Sequence, residues 1–211
     1  MKNISKAVVL AAHTDDGEFG CGGTLARLVD QGSLVTYVAF SICEASVPEG
    51  FPRDILATEV EEATQVLGID PEHLLVYHYP VRYLPQHRQE ILEELVRIGR
   101  EFRPGLVLLP STDDLHQDHQ VICQEGVRAF KHTSILGYEM PWNNMSFTAS
   151  AFVHLEAGHL DKKVAALRRY RSQQHRHYMA ESLIMNLARI RGVQAGVEYA
   201  EAFQAIRWVI R

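Results

Sequence analysis

Two short segments hold the side chains that could do chemistry. In the first, His13-Thr14-Asp15-Asp16-Gly17-Glu18 packs one imidazole and three carboxylates into six residues. Carboxylates crowded at the end of a buried strand repel one another and lose hydration, which costs several kcal/mol unless a cation or hydrogen-bond donors compensate. A metal ion is the simplest compensation. In the second segment, His116-Gln117-Asp118-His119 sets two imidazoles three residues apart. Where such a stretch begins to turn as a helix the two rings share a face, so one can bind metal while the other faces a substrate. Zinc in catalytic sites takes three protein ligands and keeps a position for water, two histidines and a carboxylate being a known set. His13, Asp16 and His119 fit that inventory, which also suits non-haem Fe(II).

The elements around these segments must bring them together. Lys6 to Ala12 is an apolar, β-branched run that ends at His13, and Gly20 to Gly23 reads as a loop opening a helix with Leu25, Leu28 and Val29 at helical spacing. Leu34 to Phe40 is a second buried strand, completing a β-α-β unit with a right-handed crossover. A helix carries Leu56, Val60, Ala63 and Leu67 and stops at Gly68; strands are expected at Leu74 to Tyr77 and Leu106 to Leu109, with a helix from Gln86 to Phe102 between them. The second histidine segment follows Leu109 and leads into a helix reaching Phe130. Strands at Ile135 to Met140 and Ala151 to Leu155, helices at about Leu160 to Gln174 and Ala180 to Arg191, and a last strand at Phe203 to Ile210 complete the expectation. This alternation predicts one domain over residues 1–211: an α/β fold with a Rossmann-like open, mostly parallel sheet and helices on both faces. In such sheets ligands bind beyond the carboxyl ends of the strands, where both histidine segments fall.

Composition narrows the class. The chain has 211 residues, 46% hydrophobic, with Lys+Arg 21 and Asp+Glu 26 giving a net charge of −5. A mildly acidic chain without basic tracts lacks the footprint of a nucleic-acid binder. No apolar run approaches the roughly 20 residues of a membrane span, and Met1-Lys2-Asn3 leads straight into the first apolar run, so neither export nor membrane anchoring is expected. Cys21, Cys43 and Cys123, odd in number and widely spaced, suit reduced thiols in a cytoplasmic protein and read as small buried hydrophobes. The rival class is a Rossmann-like nucleotide-binding module or oxidoreductase with no metal site. Against it, Gly20-x-Gly22 has Leu25 where a third glycine should stand, and Asp15, Asp16 and Glu18 would repel a pyrophosphate. His73, His78, His87, His132, His154 and His159 show no partner spacing, and His175-Arg176-His177 reads as a solvated face with an alternative as a phosphate contact.

The pattern resembles the PIG-L/LmbE family of metal-dependent N-acetyl-sugar deacetylases. The family's Ala-His-Pro-Asp-Asp and Gly-x-Gly-Gly-Thr motifs are similar to Ala12-His13-Thr14-Asp15-Asp16 and Gly20-Cys21-Gly22-Gly23-Thr24, and its His-Pro-Asp-His to His116-Gln117-Asp118-His119. Lys163, Tyr170-Arg171-Ser172-Gln173 and Gly196 to Phe203 look like its C-terminal signatures. The resemblance implies a zinc-dependent hydrolase, with Fe2+ tolerated by the same ligands, that removes acetyl from an N-acetylated amino sugar or its glycoconjugate. It implies His13, Asp16 and His119 as metal ligands, Asp15 as general base, and His116 as the charge-stabilising or acid residue oriented by Asp118. The expected partner is a small N-acetyl sugar, with no nucleic acid and no membrane, and a homo-oligomer is allowed by similar proteins.

The sequence also departs from the family pattern. Thr14 and Gln117 replace prolines, which should alter loop stiffness more than ligation. Gly17 stands where the family has an acidic residue, and Glu18, one later, is expected to hold a ligand histidine or cap the helix. Arg53 and Arg82 are read as substrate-facing arginines, Tyr199 as an oxyanion donor or a packed ring, and Trp142, followed by Asn143-Asn144, as a flat face for a sugar.

Overall fold

The computed structural model describes residues 4–210; Met1-Lys2-Asn3, on which the expectation of no leader rests, lies outside them. Strands β1 (Lys6–His13), β2 (Leu34–Ser41), β3 (Leu74–Val76), β4 (Leu106–Pro110), β5 (Ser134–Tyr138), β6 (Ala151–Leu155) and β7 (Tyr199–Arg207) form one sheet in the order β3-β2-β1-β4-β5-β7-β6. The first five in that order run parallel, and β7 is inserted antiparallel to both β5 and β6. Helices α1 (Asp16–Asp30), α2 (Ile55–Val66), α3 (Arg88–Phe102), α4 (Gln117–Ala129), α5 (Ala157–Leu167) and α6 (Glu181–Ala195) cover it.

The period of two along the central strands explains why both faces need helices. Ala7, Val9 and Ala11 of β1, with Val35, Tyr37 and Ala39 of β2, pack into one core beneath α1, α2, α5 and α6. Val8, Leu10 and Ala12, with Val38 and Phe40, pack into a second core beneath α3 and α4. A strand buried on both faces reads as the continuous apolar run seen at Lys6 to Ala12. Among the described residues no helix is long and apolar enough to cross a membrane.

The expected glycine loop is a helix. It begins at Asp16 and kinks at Cys21, whose φ of −151° is not helical. The glycines are there for closeness: a Cβ on Gly17 would stand 2.6 Å from the Tyr37 ring, and one on Gly20 would overlap Tyr138. Helix α1 therefore lies directly on the aromatic rings of β2 and β5, which sets Asp15 and Asp16 at the mouth of β1.

Candidate active site

The chain order changes direction between β1 and β4, which are neighbours in the sheet and send their following helices to opposite faces. At such a switch point the strand ends diverge into a crevice. His13 ends β1, Asp15 and Asp16 start α1, and Asp114, His116, Asp118 and His119 lie between the end of β4 and the first turn of α4. Two segments about a hundred residues apart thus meet.

Three donor atoms form a tight triangle. His119 Nε2 is 3.2 Å from His13 Nδ1 and 3.2 Å from Asp16 Oδ2, and His13 Nδ1 is 3.5 Å from Asp16 Oδ2. Atoms bound tetrahedrally to zinc at about 2.0–2.1 Å lie about 3.3 Å apart, so the triangle has the right size for one face of such a site. A looser group of His13, His116 and His119 has its ligand atoms within 4.8 Å of one another. The tighter set fits better, because its spacings of 3.2, 3.2 and 3.5 Å match a tetrahedral face, whereas the looser group spreads to as much as 4.8 Å.

Each histidine of the triangle is backed by a carboxylate on its other nitrogen. Asp118 Oδ2 is 3.0 Å from His13 Nε2, and Asp114 Oδ2 is 2.7 Å from His119 Nδ1. Such partners fix the tautomer and orientation of a ligating imidazole. This corrects the role expected for Asp118: only its backbone meets His116, while its side chain holds His13 and accepts the backbone N–H groups of Arg82 at 2.6 Å and Leu84 at 3.3 Å. Asp114 has little signal in the sequence beyond being a carboxylate two residues before His116.

Charge in the corner is strongly perturbed. Burial opposes protonation of His13, yet the Asp16 charge and hydrogen bonds to Asp118 and Asp16 outweigh it and push the ring up to about 9. His119, likewise buried, is pushed up to about 10 by Asp16 and Asp114. Asp16 responds oppositely: burial raises it, but His119 and His13 hold it well below the usual carboxylate range. Protons on the histidines here take the place of a cation. Asp15 is pushed up to about 6 by burial and by Asp16, and no side chain among the described residues hydrogen-bonds its carboxylate. His116 is pushed down to about 4 by burial and by His13 and His119.

Above the triangle lies a cleft of about 270 Å³, lined by His13, Asp15, Asp16, His116 and His119 together with Arg82, Trp142 and Asn143. Trp142 stacks on Tyr178 at 4.3 Å and meets the edge of Phe19 at 5.0 Å, forming an aromatic wall. Two expected substrate residues are elsewhere. Arg53 stays exposed on the turn before α2, and Leu56, one helical turn on, reaches the cleft instead. Tyr199 opens β7, beyond β5 from the site, with Arg189 of α6 over its ring at 5.8 Å. Cys43, expected as a buried hydrophobe, is buried but also borders the cleft. Arg176, Gln173 and Tyr178 line the cleft as well, so the basic cluster at His175-Arg176-His177 is not wholly a solvated face.

Glu18 neither holds a ligand histidine nor caps the helix. It is fully buried, its two oxygens are in hydrogen-bond contact with the hydroxyls of Tyr37 and Tyr170, and it is pushed up to about 8 by burial despite them. Both tyrosines also approach the Thr14 carbonyl, at 2.8 and 2.7 Å, which pins the backbone just before Asp15.

Residues 8–131 match the PIG-L family model, described as GlcNAc-PI de-N-acetylase. The chain belongs to the PIG-L family. This PIG-L chain is 27% identical over 169 residues, 78% of its own length and 90% of the other's, to an uncharacterized deacetylase, YaiS, of Escherichia coli (strain K12). It is 28% identical over 145 residues to a diacetylchitobiose deacetylase of Thermococcus kodakarensis, a match to 65% of this chain and 49% of that protein, so it spans about half the length of that relative. The conserved protein TT1542 from Thermus thermophilus superposes with a TM-score of 0.81 at 28% identity over 99% of this chain and 97% of that one. GalB, the 4-carboxy-2-hydroxymuconate hydratase of Pseudomonas putida KT2440, also superposes at 0.81, over 98% of each chain, but its 22% identity makes this a likeness of fold alone. The PIG-L match ends before Lys163 and Glu201, whose buried ion pair at 2.7 Å ties α5 and β7 to α1 through the backbone nitrogens of Gly23 and Thr24.

Proposed function

We propose that this PIG-L chain is a metal-dependent N-deacetylase that hydrolyses the acetamide of an N-acetylated amino sugar or its glycoconjugate. The observation that carries the reading is the His13–Asp16–His119 triangle with the Asp15 carboxylate, hydrogen-bonded by no side chain among the described residues, beside it in the cleft. His13, Asp16 and His119 would hold the ion, zinc by the size of the triangle, with ferrous iron tolerated by the same donors. Such an ion supplies Lewis acidity, which acidifies water and polarises a carbonyl.

The protein groups then have separable tasks. Asp15 accepts a proton from the attacking water, a role suited to a carboxylate raised to about 6. His116 takes a hydrogen bond from Asp118 N at Nδ1, which leaves the proton of the neutral ring on Nε2. His116 lines the cleft, and that N–H would donate to the amide oxygen as negative charge builds there. With His116 kept neutral, Asp15 is the group that returns a proton to the departing amine nitrogen. The diacetylchitobiose deacetylase among the relatives supports an N-acetyl sugar as substrate class. The packing of Gly17 and Gly20 against aromatic rings counts against a dinucleotide cradle.

The test is acetate release from N-acetylglucosamine and diacetylchitobiose by zinc-loaded protein. The reading expects turnover that Asp15→Asn lowers by at least about a hundredfold while zinc stays bound. A zinc-loaded wild-type chain that releases no acetate from any N-acetyl sugar would sink it.

A further inference from the structure

Apart from Asp15, Asp16 and the histidines, the charged residues lining the cleft are Arg82 and Arg176. Among the described residues neither has a carboxylate within salt-bridge distance, although the chain carries five more acidic than basic residues. Arg176 thus makes no direct ion pair, its charge reaching Asp15 only across the cleft, and it has an elaborate support.

That support is a buried chain of hydrogen bonds. Glu59 of α2 is fully buried, and its two oxygens accept Ser172 N at 2.9 Å and Ser172 Oγ–H at 2.6 Å. Ser172 Oγ accepts Gln173 Nε2–H at 3.0 Å, and Gln173 Oε1 accepts Arg176 Nε–H at 2.7 Å. Below the guanidinium lies Tyr178, its ring centre 5.7 Å from the central carbon, and Tyr178 is itself stacked on Trp142. A flexible, charged side chain is thereby fixed at its inner nitrogen and along one face. Its side chain also hydrogen-bonds that of Tyr178, and Arg176 lines the cleft, where its charge reaches Asp15.

A guanidinium fixed in this way is suited to oxyanions, because its parallel N–H groups match two oxygens of a phosphate or carboxylate and little rotamer entropy is left to lose. We infer that Arg176 is a preformed clamp for an anionic substituent, a phosphate or a carboxylate, carried by the N-acetyl sugar that this cleft binds. The inference rests on the N-deacetylase reading for the sugar but not for the anion. Arg82 lies on the same cleft and adds positive charge, with its backbone held in the left-handed region at φ +72° by Asp118. Glu59, Ser172 and Gln173 act through Arg176 and are positioning residues.

Binding of three probes to zinc-loaded protein tests this by titration calorimetry: N-acetylglucosamine, N-acetylglucosamine 1-phosphate and N-acetylmuramic acid. At least one charged probe should bind about tenfold or more tightly than the neutral sugar, and which one does so tells phosphate from carboxylate. Arg176→Gln should abolish that advantage, and Arg176→Lys, which keeps charge but not the planar fork, should keep part of it. Ser172→Ala should weaken the advantage through KM for the charged substrate, with kcat little changed, which a merely structural role would not do. Equal binding of charged and neutral probes, or a full advantage that survives Arg176→Gln, overturns the clamp. A charged-probe advantage without acetate release supports the clamp and fails the deacetylase; acetate release with equal binding does the reverse.

Discussion

Asp118 Oδ2 is shared between the His13 imidazole at 3.0 Å and the Arg82 backbone nitrogen at 2.6 Å, so one carboxylate oxygen orients His13 and holds a strained turn at the cleft. A non-glycine residue at φ +72° costs of order 1 kcal/mol and persists only where its surroundings hold it. The same carboxylate therefore couples the His13–Asp16–His119 corner to the Arg82 side of the cleft. Asp114 behind His119 lacks this second duty, since its other contacts are with its own loop and Asn143.

Changing the two carboxylates separately should separate their roles. Asp114→Asn and Asp118→Asn are each expected to weaken zinc binding by about 10–100-fold, measured by competition with a chromogenic chelator. Only Asp118→Asn should also raise KM, because the Arg82 turn loses its anionic acceptor. Unaltered zinc affinity in both variants would show that neither carboxylate supports a ligand.

Metal binding should be strongly pH-dependent, and the sign follows from the histidines. His13 is raised to about 9 and His119 to about 10, so in the metal-free protein both are protonated at pH 7 and must lose those protons to bind an ion. Zinc affinity should climb as pH rises from about 6 to 9, with close to two protons released per ion at pH 7, read from calorimetry in buffers of different ionisation heat. In the metal-free protein the raised histidines contribute stability that is full below their unfolded value of about 6.5 and lost as pH passes through 9 to 10. Zinc binding without proton release at neutral pH would contradict the arrangement.

The convergence of His13, Asp16 and His119 is legible in the sequence because each sits within three residues of a strand end or helix start, where local pattern fixes position. The carboxylates behind the histidines were harder. Asp118 looked like a neighbour of His116 because it is two residues away, but at the helix start its side chain turns to His13, 105 residues distant, and sequence spacing cannot show that. Gly20 to Gly23 reads as a loop because glycine disfavours helix; the packing of Gly20 on Tyr138 comes from a strand far along the chain. The insertion of β7 between β5 and β6 is also non-local, and with it went the placement of Tyr199. Arg176 read as part of a solvated basic cluster because Glu59, which anchors its support, is 113 residues from Ser172.

Glu18 should titrate in the native protein near neutrality. Burial raises it to about 8, and proton counting agrees: Tyr37 and Tyr170 have one hydroxyl proton each for four contacts to Thr14 O and Glu18, and a protonated carboxyl supplies a third. Because the folded value lies above the unfolded one of about 4.5, the folded state keeps the proton, and stability falls as pH rises from about 4.5 to 8. Glutamine can donate to one tyrosine and accept from the other as the neutral acid does. Glu18→Gln should therefore melt close to wild type at pH 5 and above it at pH 8. A melting-temperature difference that stays flat between those values would mean that Glu18 does not gain a proton on folding.

The Lys163–Glu201 pair should matter more for its integrity than for its net attraction. Both residues are buried, and Lys163 Nζ also donates to Phe19 O at 2.6 Å, next to the residues that start α1. Removing one partner leaves a buried charge uncompensated, so Lys163→Met is expected to destabilise by about 3–5 kcal/mol in urea unfolding. Glu201→Gln relieves that charge while keeping one acceptor for the Gly23 or Thr24 backbone. The double variant Lys163→Met with Glu201→Gln should accordingly be no less stable than Lys163→Met alone, and a double-mutant cycle should return a coupling of about 1 kcal/mol or more. Strict additivity would mean that the two groups stabilise α1 independently, and that the tie between the C-terminal third of the chain and the Asp15–Asp16 corner runs through other contacts.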